Sequence, residues 1–108
     1  MNTSRPGLLI FLSAKPGKQS ALMDFLNKGL SVVADEAGTQ TWYAFQITDD
    51  KFGIYDTFRG DNARQEHLSG KLARALAEVA DDLLAIPPEI RHIDVTDWYG
   101  QKYGSNNP

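Results

Sequence analysis

The chain has 108 residues, enough for one domain around a single core. Its 42% hydrophobic and 23% charged residues are an ordinary globular balance, and a formal net charge of −3 offers no basic field for nucleic acid or an anionic membrane. There is no cysteine, which excludes disulfides, thiolate zinc sites and cysteine nucleophiles together.

Residues 1–7 are polar and end in Pro6-Gly7; no apolar leader follows a basic start, and no run approaches the ~18 apolar residues of a membrane span. The expectation is a cytoplasmic protein with neither nucleic-acid nor membrane partners. Leu8 to Leu12 is continuously apolar, as in a strand buried on both faces. Pro16-Gly17 closes it and opens a helix over Lys18 to Ala37, where Leu22, Phe25, Leu26, Leu30 and Val33 recur at helical spacing. Gly38 suits a left-handed helix stop, and Gly29 suits close approach to a sheet.

Thr41 to Thr48 is the next strand, with Tyr43, Phe45 and Ile47 on one side and Trp42 and Ala44 on the other. Asp49-Asp50-Lys51 turns it into a hairpin with residues 52–58. Asp61 is placed to cap a short helix that Gly70 interrupts. Leu72, Leu76, Val79 and Leu83 form a second helical stripe, ended by Pro87-Pro88, and a last strand spans Glu89 to Trp98. Residues 1–98 thus read as one domain and 99–108 as a tail.

This order is the ferredoxin-like βαββαβ pattern: α+β, with a four-stranded antiparallel sheet and helices on one face. Trp42 and half of Leu8 to Leu12 are left for the other face. Covering them takes a second sheet, which predicts a homodimer closed into an α+β barrel.

Chemistry concentrates at residues 52–67. Phe52, Ile54, Asp56 and Phe58 alternate on one buried strand face, so Asp56 is a carboxylate among apolar side chains and needs a partner. His67, eleven residues later, follows a short helix able to fold back over that face. Two readings stand: a pocket built on an Asp56–His67 pair, or a structural arrangement in which Asp56 bonds backbone amides or Arg59 and His67 is a satisfied histidine. Elsewhere the glycines fall in no phosphate-binding spacing, no serine sits in a nucleophile elbow, and His92 with Asp94 reads as a solvent-facing patch. No metal or other cofactor is expected.

Pro16-Gly17, the run Glu36-Ala37-Gly38-Thr39, the hairpin into Tyr55-Asp56-Thr57-Phe58 and then His67 together resemble the antibiotic biosynthesis monooxygenase domain, over about Leu8 to Val95. The resemblance implies a dimeric α+β barrel with a pocket between sheet and helices in each subunit. It also implies oxygenation of phenolic or quinol-type small molecules without metal or flavin, because an electron-rich phenolate can itself reduce oxygen. His67 would be the base, since imidazole titrates near neutral pH, and Asp56 would orient it. Tyr43, Phe45 and Phe58 would be pocket wall or core, and Tyr55 would serve the dimer interface.

The chain departs from the family where glutamate and tryptophan are usual, having Asp56 and Phe58, and it lacks a second histidine in His67-Leu68-Ser69-Gly70-Lys71. These losses lean toward a non-catalytic module that binds or senses a small aromatic ligand. Haem degradation is the weaker alternative: residues 71–85 contain no histidine, and Leu8 to Ala14 no asparagine.

Overall fold

A computed structural model describes residues 5–100. β1 (Arg5–Ser13) carries the apolar run, and Gly17, with φ of 83°, makes the left-handed turn into α1 (Gln19–Ala34). β2 (Thr39–Gln46) and β3 (Lys51–Phe58) form the hairpin, followed by α2 (Asp61–Leu68), α3 (Lys71–Leu83) and β4 (Glu89–Val95). The four strands lie in the order β2-β3-β1-β4 with every neighbour antiparallel, the ferredoxin-like α+β arrangement that the element order predicts. Most of the expected tail, residues 101–108, lies outside the described residues.

Residues directly opposite in an antiparallel pair share a face. Leu8, Ile10 and Leu12 oppose Asp56, Ile54 and Phe52, and Trp42 and Ala44 oppose Asp56 and Ile54. All of these face the helices, where Leu8, Leu12, Phe52 and Phe58 are fully buried. Burying a phenylalanine of this kind stabilises a fold by roughly 2–3 kcal/mol.

This register corrects the expectation for β2. Trp42 packs into the helix-covered core, and Tyr43 and Phe45 lie on the opposite, open face, 57% and 37% exposed. They are therefore neither core nor wall of a pocket beneath Asp56. On the open face Tyr43 stacks on Tyr55 with ring centroids 6.0 Å apart, and Phe45 lies over Gly53. Leu9 and Phe11 share that face as the cross-strand partners of Tyr55 and Gly53.

α1 is shorter than expected and buries Leu22, Leu26, Gly29 and Val33. Leu30 is exposed because, at 100° per residue, it sits about 70° from the centre of that stripe. A Cβ on Gly29 would come within 3.0 Å of Leu72 Cδ1, so the close approach there is chiefly to α3. Gly38 is not left-handed; a Cβ on it would fall 2.4 Å from Ala63 Cβ, so contact with α2 is what demands glycine. Asp61 does not cap α2: Gly60 holds that position, and the Asp61 carboxylate accepts from Arg64 instead.

Arg64 fixes α2 across the sheet. Its Nη1 donates to the carbonyls of Gly7 on β1 and Ile93 on β4, each at 3.2 Å, which a charged donor makes worth about 1.5–3 kcal/mol apiece. His67 follows three residues later on the same helix, so the clamp also holds the imidazole over the sheet.

Candidate functional site

Asp56 comes from the core face of β3 and is 0% exposed; His67 comes from the last turn of α2 and is 6% exposed. The structure brings them together, with His67 Nε2 3.2 Å from Asp56 Oδ2. This contact is an ion pair only while the ring is protonated, and it is not a directed hydrogen bond, since neither Asp56 oxygen meets a well-aligned donor. Arg59 is not involved: its guanidinium donates to the Ala37 carbonyl. Phe58 packs on the imidazole with ring centroids 5.1 Å apart, so of the expected aromatic residues it alone belongs to this site.

A third residue completes the cluster, and sequence reasoning missed its role. Glu36, in the turn after α1, places Oε1 2.7 Å from His67 Nδ1. The Thr39 hydroxyl donates to the same oxygen at 2.7 Å and holds the carboxylate in place. A signal was present in the chain: an acid just beyond a helix C-terminus faces the negative end of the helix dipole, so its placement there calls for a cationic or hydrogen-bonding partner. The two carboxylates flank opposite edges of the imidazole and cannot converge on one ion. Among the described residues no group of His, Asp and Glu is arranged to hold a metal.

Burial pushes the Asp56 carboxyl above its ordinary 3.8; contact with His67 opposes this and the Glu36 charge adds to it. For His67, burial disfavours the charged ring, but the close Asp56 carboxylate and the hydrogen-bonded Glu36 outweigh that and hold it above the ordinary 6.5. Both groups therefore bind protons more tightly in the folded state than in the unfolded chain. His67's contribution to stability is full below 6.5 and Asp56's below 3.8, and each is lost as pH rises through the raised folded value. Between about pH 5 and pH 9, the melting temperature of the wild type should fall relative to that of Asp56→Asn. Parallel curves for the two proteins would show that the pair is not linked to folding.

His67 also separates two cavities. The outer one, about 490 Å³, is bordered by the charged residues Asp35, Glu36, Glu66 and Lys71, with Val32 and Ala63 beside them, between the end of α1, α2 and the start of α3. The inner one, about 420 Å³, lies between sheet and α3 and is walled by Ile10, Ile54, Leu72, Leu76 and Ile90. His92 and Asp94 are exposed on β4, away from both. No helix among the described residues is long and apolar enough to cross a membrane.

No protein-family profile and no curated protein matches the chain. Solved structures do. The NE2512 protein of unknown function from Nitrosomonas europaea is 36% identical, with a TM-score of 0.87 over 91% of this chain and 95% of that one. Rv0793 from Mycobacterium tuberculosis is 17% identical, with a TM-score of 0.80 over 90% of this chain and 100% of that one. A structure named as an antibiotic biosynthesis monooxygenase is 10% identical, with a TM-score of 0.75 over 85% of this chain and 99% of that one. The last two likenesses establish shared architecture. The chain belongs to the same family as the Nitrosomonas europaea NE2512 protein and has the fold of the antibiotic biosynthesis monooxygenases.

Proposed function

We propose that the chain is a cofactor-independent monooxygenase of a small phenolic or quinol-type aromatic molecule held in the inner cavity. The observation that carries this is the cavity wall, apolar throughout except for His67, its single titratable residue. A volume of about 420 Å³ falls in the range of small-molecule sites. Apolar walls take an aromatic ring system, and the imidazole takes its hydroxyl. In such a reaction the hydroxyl proton passes to His67, and the resulting oxyanion delivers an electron to oxygen. The oxygenated ring carbon then gives up its one hydrogen: one oxygen atom stays on it as a carbonyl, the other leaves as water with that hydrogen and one proton, the equivalent of the one taken from the hydroxyl, and the substrate supplies all the electrons.

One observation favours a second reading, a module that binds the same molecule without turnover. Both imidazole nitrogens are already engaged, by Glu36 and by Asp56. Oxygen uptake measured beside melting temperature over a panel of quinols and anthrone-like phenols separates the two. Uptake identifies the enzyme, a stabilising shift without uptake identifies the binder, and neither response rejects the cavity as a site.

Ala73 lines the inner cavity from α3. Ala73→Phe should fill it and weaken ligand binding by about a hundredfold, close to 3 kcal/mol, while the fold is kept. Undiminished binding in the variant would place the ligand elsewhere. The open sheet face supports a further proposal, a homodimer in which two such faces meet. Leu9, Phe11, Tyr43, Phe45 and Tyr55 form on it an apolar and aromatic surface of the kind that marks an interface.

A further inference from the structure

We infer that Glu36 is a positioning residue and proton-transfer partner of His67: it fixes the Nδ1–H toward itself, leaves Nε2 to the ligand hydroxyl, and passes the proton to the outer cavity. This rests on the phenol or quinol reading of the inner cavity. The two contacts of the imidazole are unequal. Nδ1 meets Glu36 at 2.7 Å in a directed hydrogen bond, and Nε2 meets Asp56 at 3.2 Å without alignment. In the neutral ring the short, charge-assisted bond keeps the one proton on Nδ1, so Nε2, without an aligned partner, is the nitrogen left to accept from a hydroxyl.

Burial then decides where the proton goes. Asp56 is 0% exposed and borders neither cavity, so a proton resting on it has no direct way out. Glu36 is 22% exposed and opens on the outer cavity, while His67 borders both cavities. The transfer is a single concerted shift. The hydroxyl proton moves to Nε2, the Nδ1 proton moves to Glu36 Oε1, and Glu36 releases it to water in the outer cavity. The products are a ligand oxyanion in the inner cavity and a proton in solvent, so charge and atoms balance.

Thr39 fits this role, because its hydroxyl anchors Glu36 Oε1 and leaves the carboxylate no need to swing away from the ring. The titratable groups that face His67 are Asp56 from β3, Glu36 from the turn after α1 and, around the outer cavity, Asp35, Glu66 and Lys71. Of these, Glu36 alone both touches the imidazole and reaches the outer cavity.

The test uses the full chain, Glu36→Gln and, as a control for the lost charge, Asp24→Asn on the exposed side of α1. Glu36→Gln keeps an acceptor oxygen for Thr39 and for the Nδ1–H, so the turn keeps its bonds. Glu36→Asp, with its carboxylate drawn back, serves as an intermediate. Two quantities are read: the His67 ring titration by NMR, and the ionised fraction of bound 4-nitrophenol by its visible absorbance. Glu36→Gln should lower the His67 midpoint by about one pH unit, tenfold in proton affinity, and reduce the ionised fraction several-fold. Glu36→Asp should fall between, and Asp24→Asn should match the wild type. A wild-type midpoint and wild-type ionisation in Glu36→Gln overturn the inference. If 4-nitrophenol does not bind even the wild type, the phenol reading of the cavity fails, and the His67 midpoint still decides whether Glu36 controls the ring.

Discussion

His67→Ala is expected to lower stability by about 3 kcal/mol near neutral pH, and by less in acid. The loss of packing is modest; the larger cost is the partner left behind. Asp56, fully buried, keeps no other side chain near it to balance an ionised carboxylate. In acid the variant can protonate Asp56, which burial already favours, and much of the penalty disappears. His67→Leu combined with Asp56→Leu should recover most of the lost stability, because replacing a whole buried pair by apolar groups is commonly near neutral. Denaturant unfolding of the two variants at two pH values tests this. An unchanged stability in His67→Ala would mean that the pair is not holding the core. Ligand affinity per folded molecule, measured on the same sample, tests the functional role: an unaltered affinity would remove His67 from the site, and Asp56 with it.

Phe45→Glu is expected to weaken self-association by about a hundredfold, close to 3 kcal/mol. It puts a carboxylate on the open face, on the side chain that reaches from the edge strand β2 over Gly53 and lies beside the Tyr43–Tyr55 stack. Because Trp42 lies among the helices, a charge introduced there would damage the core and report nothing about assembly. The wild type should sediment as a dimer at micromolar concentration and bury an area in or above the standard range of about 1,200–2,000 Å². A wild-type monomer under those conditions rejects the homodimer; an unweakened Phe45→Glu dimer places the interface on another face.

The contrast between Trp42 and Phe45 shows what was legible in the chain and what was not. Alternation along β3 correctly put Phe52, Ile54, Asp56 and Phe58 on one face, because the period of a strand is local and three of the four are large and apolar. In β2 both faces carry aromatic residues, so composition could not say which one meets the helices. That was fixed by pairing across the hairpin, which sets Trp42 opposite Asp56 and Phe45 opposite Gly53. The Asp56–His67 pair was legible because a lone acid on an apolar face has to find a partner. Glu36 was not, since 31 residues separate it from His67 and only the packing of the α1–β2 turn against α2 closes that gap.

The same packing gives two residues without functional groups an influence on the site. Gly38 and Ala63 meet where a single added carbon would leave 2.4 Å between Cβ atoms, so the turn bearing Glu36 can come no closer to the helix bearing His67. Together they act as a spacer that sets the length of the Glu36–His67 hydrogen bond through the backbone. Larger side chains at either position push donor and acceptor apart while leaving every titratable residue in the sequence. Positions 38 and 63 would therefore score as sensitive in a mutational scan of this site, and their sensitivity would report a distance, not a chemical group.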